Sequence, residues 1–380
     1  MKFYGYFVEI ILSLSLFLFS LNAFSVRATA LSYGLILVLV IIKLPEFFKI
    51  KKSSLRAGGV LSIVFIFTMM ASARHGIYFN FLLKSFFIFV YSYVLYVFFS
   101  ERIIKRESIN NCLKFLIIAH SLFFAIQILY YLLFGDIVDF NNYVREVESD
   151  SLYFTKALEG AALDIRGGGL FSEPSFYSMT VVPASIILLV NEKKIGVISF
   201  LGFSTAALSF SIAALLVVGL VVLFYFFVFN TDYIKKIILI VCLVFAMPFF
   251  SDFYDKRVIM AYDYDAVSSR SAIFDEFYFR PFIDDLIGSG FYWDENYIQG
   301  VTGIWGFQIR DSSFYAYLYY CGGAIGFVLF FSILWFSMKR EKVKILFLLP
   351  VFLFKFHILY GVLFVFVLFM YLIDSNECQK

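Results

Sequence analysis

Apolar runs of about 15–25 residues, each closed by a short charged stretch, recur from Tyr4 to Ile373. That length decides the solvent, because a helix needs roughly 20 apolar residues to cross about 30 Å of hydrocarbon. Composition agrees. Hydrophobic residues make up 62% of the chain and charged residues 16%, against roughly 45–50% and 25% in a water-soluble domain, so a soluble fold has nowhere to bury this surface. In lipid every backbone polar group must be paired within the chain, which leaves helices or a closed barrel. The near-continuous runs lack the alternation of barrel strands, so the expected fold is all-α.

The runs fall near residues 4–24, 30–48, 57–73, 77–99, 115–134, 170–190, 195–210, 212–229, 237–250, 313–338, 345–357 and 359–373. They predict about twelve transmembrane helices in one integral membrane domain, 1–380. No small-residue cleavage site follows Tyr4 to Phe24, which therefore reads as a retained first helix. Ile195 to Phe229 and Ile345 to Ile373 are each long enough for one long helix or a hairpin, and charge decides between them. With two hairpins, Lys43, Lys49, Lys51, Lys52 and Arg56 share a side with Arg102, Lys105, Arg106 and Lys114. Lys193, Lys194, Lys235, Lys236, Lys339, Arg340, Lys342 and Lys344 join them in short loops, where the positive-inside rule is most reliable. The expected location is a bacterial inner membrane, with both termini cytoplasmic. Two larger polar segments, about 135–169 and 251–312, then face the periplasm, and chemistry is expected there.

The net charge of +3 says little about partners, because in a membrane protein the placement of basic residues matters, and no nucleic-acid patch is visible. Cys112, Cys242, Cys321 and Cys378 show no CxxC spacing, so neither a disulfide framework nor a metal site is implied.

Three stretches stand out in the polar segments. In Arg166-Gly-Gly-Gly-Leu-Phe-Ser-Glu-Pro-Ser-Phe-Tyr177 the glycines allow a sharp turn, while Ser172 and Pro174 suit the start of a helix entering the membrane. A helix N-terminus with an arginine just before it favours anions. A plain capping role for Glu173 accounts for the same pattern. From Ser268 to Tyr292, Arg270, Ile273, Phe274 and Phe277 have the spacing of a short amphipathic helix on the membrane surface, followed by Pro281 and Gly288-Ser-Gly290. Arg270 there either grips a substrate headgroup or snorkels to phospholipid. Arg310-Asp311-Ser-Ser opens the tenth helix, with Asp311 expected at its cap. Between the seventh and eighth helices Ser209-Phe-Ser211 forms a polar turn. Lys84 and Lys355 are the charges set deep in apolar runs; Lys84 either meets a lipid pyrophosphate or a carboxylate inside the bundle, or is a snorkelling or internally paired lysine.

The order of an Arg-Gly-rich-Glu-Pro loop, a Ser-x-Ser hairpin, an arginine followed by Pro and Gly-x-Gly, and a polar pair before a Gly-containing helix resembles the O-antigen polymerase and ligase superfamily. Within it, the chain is most similar to Wzy-type repeat-unit polymerases, over about residues 160–330. The resemblance implies a GT-C-like glycosyltransferase that polymerises undecaprenyl-pyrophosphate-linked oligosaccharide repeat units, for O-antigen, capsule or exopolysaccharide, at the periplasmic face. It implies catalytic roles for Glu173, Arg270 and Asp311 and substrate contacts at Arg166 and Arg310; Tyr177 in the same stretch is a further candidate contact, and Lys84 is another on the strength of its depth in an apolar run. It implies lipid-linked donor and acceptor glycans, membrane lipid and a chain-length regulator as partners, with no cofactor. An O-antigen ligase is chemically close, but His75, His120 and His357 all lie outside the region around Asp311 where ligases carry a histidine. A lipid-linked glycan flippase or secondary transporter is the rival from another class. Against it, only Asn191-Glu-Lys-Lys194 joins the sixth and seventh helices, and no half-to-half repeat is visible.

Overall fold

Long apolar runs make helices because a helix satisfies its own backbone, and in the computed structural model every extended element among the described residues is helical. The structure describes residues 2–146, 153, 164–229, 266–294, 296 and 300–373, with a few isolated positions between 232 and 256. Side chains of 2–4 and 266–271 lie outside that set, as does most of the expected helix at 237–250.

The helices are α1 (Lys2–Phe19), α2 (Val26–Ile42), α3 (Leu44–Phe47), α4 (Lys52–Ser72), α5 (Phe79–Ser100), α6 (Glu107–Phe134) and α7 (Asn141–Val144). They continue as α8 (Pro174–Glu192), α9 (Val197–Leu208), α10 (Ile212–Val228), α11 (Ala266–Phe279), α12 (Phe282–Ile287) and α13 (Gly306–Asp311). The last are α14 (Phe314–Met338), α15 (Lys342–Leu348) and α16 (Val362–Leu372). Among the described residues, α4, α5, α6, α8 and α14 are long and apolar enough to cross a membrane, and α1, α2, α9, α10 and α16 are shorter apolar helices.

Helix α8 is the axis of the bundle, apolar or small on all sides and buried almost throughout. It packs against α6, α9, α10, α15 and α16. Hydrophobicity does not hold helices together in lipid, so close packing and hydrogen bonds between small polar groups do. Ser178 meets Ser209 at 3.1 Å, and Thr180 meets Tyr360 at 2.8 Å.

The chain does turn back within 195–229, as α9 and α10 parted at Ser209 to Ser211 with Phe210 at φ 51°, but the 12 residues of α9 reach only about 18 Å, short of a full span. The region 345–373 is not two full spans. Helix α15, a 3-10 turn at Leu349–Leu353 and an irregular stretch at 354–361 lead to α16. At 1.5 Å per residue the 11 residues of α16 reach about 16 Å, too short to cross alone. Lys344 Nζ donates to the carbonyl of Ile373, so the element goes in, turns and returns to the same end. Pro350, which has no N–H, and Gly361, whose Cβ would sit 2.6 Å from the Phe19 ring, flank the turn.

The basic loops gather at one end of the bundle. Ser54 and Lys51 reach Glu101, Lys114 pairs with Glu192 at 3.1 Å, and Lys339, Arg340 and Lys344 line one cavity with Arg106. The described parts of 135–169 and 266–312 collect at the other end, where Tyr78 N donates to Tyr292 O at 2.6 Å and Arg74 pairs with Asp284 at 2.9 Å.

Helix α14 is broken inside this polar end. Gly323 has φ 60° and ψ −169°, which stops the helical ladder and frees carbonyls before it. The loop at Gly288-Ser-Gly290 fills the break: Ser289 N and Gly290 N donate to the carbonyls of Tyr320 and Cys321, each at 2.9 Å. Arg280 adds Nη1 to Tyr320 O at 3.2 Å and holds Asp285 through Nε at 2.6 Å. A Cβ on Gly288 would lie 2.2 Å from Cys321 O, so only glycine fits there. The Gly-x-Gly of the sequence is thus a plug for a kinked helix.

Candidate functional site

The Gly-rich loop is shaped by α6. Gln127 Oε1 accepts from Gly168 N and Gly169 N, both at 2.9 Å, and Gln127 Nε2 donates to Val138 O at 2.9 Å. A Cβ on Gly167 would sit 2.5 Å from the Phe124 ring, and Gly169 turns at φ 58°. These constraints deliver Glu173 to the N-cap position of α8, with Pro174 as the first helical residue.

The Glu173 side chain makes no capping hydrogen bond. Its Oε2 instead accepts from Lys355 Nζ at 2.6 Å and from Ser175 Oγ at 2.8 Å. Lys355 sits at the tip of the hairpin between α15 and α16, over the Phe176 ring, and reaches Asp311 Oδ1 at 3.0 Å. Asp311 is therefore not the cap of α14. It ends α13, and Ser313 caps α14 by accepting from Ala316 N.

Around this ion triad lie three more of the expected residues. Arg166 is close enough to Glu173 to act on it electrostatically. Arg310, Lys84 and Lys355 all act in the same way on His357, two residues along the hairpin tip. Arg310 is buried, donating from Nη2 to Trp293 O at 3.1 Å and lying between the rings of Phe81 and Trp293 at 4.7 and 5.0 Å.

One expected site residue does not join the cluster, and the side chain of another lies outside the described residues. Tyr177 points into the bundle, where its hydroxyl donates to Thr205 Oγ1 at 2.7 Å and its ring stacks on Phe124; it is part of the helix packing. Arg270 lies on α11, and its side chain is outside the described residues. Lys355 and His357 went unassigned from the sequence. The lone lysine in an apolar run was the available signal, because a charge at that depth persists only with partners.

Burial by itself raises the Glu173 carboxyl, but the charge and hydrogen bond of Lys355, the Ser175 hydroxyl and the charge of Arg166 outweigh it and hold the group below its ordinary value. The carboxylate is ionised at neutral pH. The side chains of Glu173 and Asp311 are 28% and 39% exposed while that of Lys355 is 8% exposed, so the acidic groups face the polar end from a buried cation. Such a site can accept hydrogen bonds from hydroxyls on its carboxylates, with the positive charge of Arg166, Arg310 and Lys84 close by. Among the described residues no group of three His, Cys, Asp or Glu side chains is placed to hold a metal ion. No protein-family model matches the chain, and no curated protein or solved structure matches it.

Proposed function

We propose that this chain is a membrane glycosyltransferase that joins undecaprenyl-pyrophosphate-linked oligosaccharide repeat units, with its polar-loop end in the periplasm of a bacterial cell. One observation carries the reading: residues far apart in the chain, Glu173, Asp311, Arg166, Arg310 and Lys84, converge at one end of a membrane bundle around Lys355. A lipid-anchored substrate presents its sugar and pyrophosphate at that level. The acceptor hydroxyl attacks the anomeric carbon of the donor, a new C–O bond forms, and the bond to pyrophosphate breaks with its electron pair leaving on undecaprenyl pyrophosphate. Pyrophosphate is a good leaving group. The protein's work is to orient two lipid-held glycans and to stabilise the departing charge, a task for Arg166, Arg310 and Arg270. Glu173 and Asp311 are assigned to the acceptor hydroxyl, as proton acceptor or hydrogen-bond acceptor.

The broken helix α14 and the re-entrant pair α15–α16 favour a second reading, a flippase or transporter, since discontinuous helices line substrate paths in carriers. Deleting the gene in a strain making O-antigen separates them. Loss of a polymerase leaves lipid A core bearing one repeat unit. A lost flippase leaves bare core, and a lost ligase leaves bare core with polymer accumulating on its lipid carrier. The one-unit pattern is expected, and bare core would remove the polymerase reading.

A further inference from the structure

The two candidate carboxylates have two possible jobs, and the geometry of Lys355 separates them. Lys355 Nζ holds one oxygen of each, Glu173 Oε2 at 2.6 Å and Asp311 Oδ1 at 3.0 Å. The remaining oxygens, Glu173 Oε1 and Asp311 Oδ2, take no hydrogen bond among the described residues. Both acids are partly open to the polar end, while the amine between them is shut away under the Phe176 ring. Both bonded oxygens lie within 3.0 Å of one nitrogen, so Lys355 holds the two carboxylates at one point with one oxygen of each left over.

Resting on the glycosyltransferase reading above, we propose that Glu173, Lys355 and Asp311 form a hydroxyl-binding clamp for the acceptor sugar, in which Lys355 is the positioning residue and neither carboxylate is the general base. The clamp accepts hydrogen bonds from two neighbouring ring hydroxyls, and charge-assisted bonds of this kind are roughly twice as strong as neutral ones. A general base works best with a proton affinity matched to neutral pH. The cationic Lys355 already occupies one oxygen of each carboxylate, at 2.6 and 3.0 Å, and with Ser175 and Arg166 it holds Glu173 below its ordinary value. The hydroxyl proton leaves with the pyrophosphate, whose oxygens gain negative charge as the C–O bond breaks.

The test is the rate of chain extension, followed by pulse-labelling the surface glycan in the deletion strain complemented with each variant, at equal protein levels in the membrane. Glu173→Gln and Asp311→Asn retain an acceptor oxygen and lose only its charge, so each should slow extension about tenfold, as for the loss of about 1.4 kcal/mol. Removing a general base should slow it by about 10²–10⁴-fold, and that result at either position overturns the clamp. In Lys355→Met, burial of Glu173 is opposed only by Ser175 and the charge of Arg166, beside Asp311. Its extension rate should therefore fall as the medium is made more acidic from about pH 8 to about pH 5.5, where wild type and Lys355→Arg stay level. A level profile in Lys355→Met counts against Lys355 as the positioning residue. The neutral triple variant Glu173→Gln, Asp311→Asn, Lys355→Met removes the like-charge problem inside the bundle and should accumulate yet extend poorly. Wild-type polymer from it means that the triad merely pins the hairpin. The single amide variants decide the matter if either multiply altered or Lys355 variant fails to accumulate. Bare core in the deletion strain would instead strike at the glycosyltransferase reading, a result none of these variants can mimic by shortening chains.

Discussion

Replacing Gly323 by alanine probes how the polar end is built. The residue sits at φ 60° and ψ −169°, a region open essentially to glycine alone. Its added Cβ would lie 2.5 Å from the backbone carbon and oxygen of Leu286 and 2.6 Å from Gly288 N. Backbone cannot swing aside as a side chain can. Strain of about 1–3 kcal/mol from the dihedral angles and about 1–3 kcal/mol from overpacking add to about 2–6 kcal/mol of destabilisation. The damage should spread to the charged cluster. The plug formed by Gly288 to Gly290 must move, and α14 begins at Phe314, whose N–H donates to Phe354 O beside Lys355 at 2.9 Å. Gly34→Ala on α2 is the matched control, since nothing lies within 4 Å of its added Cβ and alanine favours a helix by about 1 kcal/mol. Thermal melts of the purified protein in detergent should therefore move in opposite directions for the two variants. Gly323→Ala melting at or above the wild-type temperature would refute the argument that the break in α14 is held by close backbone contact.

Two further outcomes follow from the topology and the packing. Periplasmic reporter fusions placed after Asp150 and after Asp265 should be active, because the basic loops cluster at the opposite end; cytoplasmic reporter activity at either point would reverse the orientation. Tyr177→Phe removes one hydrogen bond to Thr205, whose hydroxyl still donates to Leu201 O, so it should cost about 1 kcal/mol in a melt and leave glycan length unchanged. Loss of polymer at normal protein level would return Tyr177 to the substrate site.

Membrane residence and helical class were legible in the residues, because run length and composition respond to the solvent and nothing else about the fold. The hairpin at 195–229 was legible for a related reason: Lys193 and Lys194 had to share a side with Lys235 and Lys236. Hydropathy could not distinguish two spans at 345–373 from a hairpin of short pieces, since both are equally apolar. That distinction rests on where Lys344 meets Ile373, a contact between residues 29 apart.

At the polar end, local pattern singled out loops whose charged side chains meet in the structure, without showing how they meet. Local pattern left a capping role open for Glu173 beside a catalytic one and expected Asp311 at a cap, and both side chains are turned instead toward a lysine 182 and 44 residues away. Gly288-Ser-Gly290 reads in sequence as part of a motif, and in three dimensions its glycines are required by the carbonyls of a helix it plugs. The sequence by itself determined the solvent, the helical class and the separation of basic from polar loops, because each is written in side chains one segment at a time. Only the tertiary structure decided that Lys355 joins Glu173 to Asp311, because that pairing depends on how a re-entrant hairpin docks between helices that no local periodicity relates.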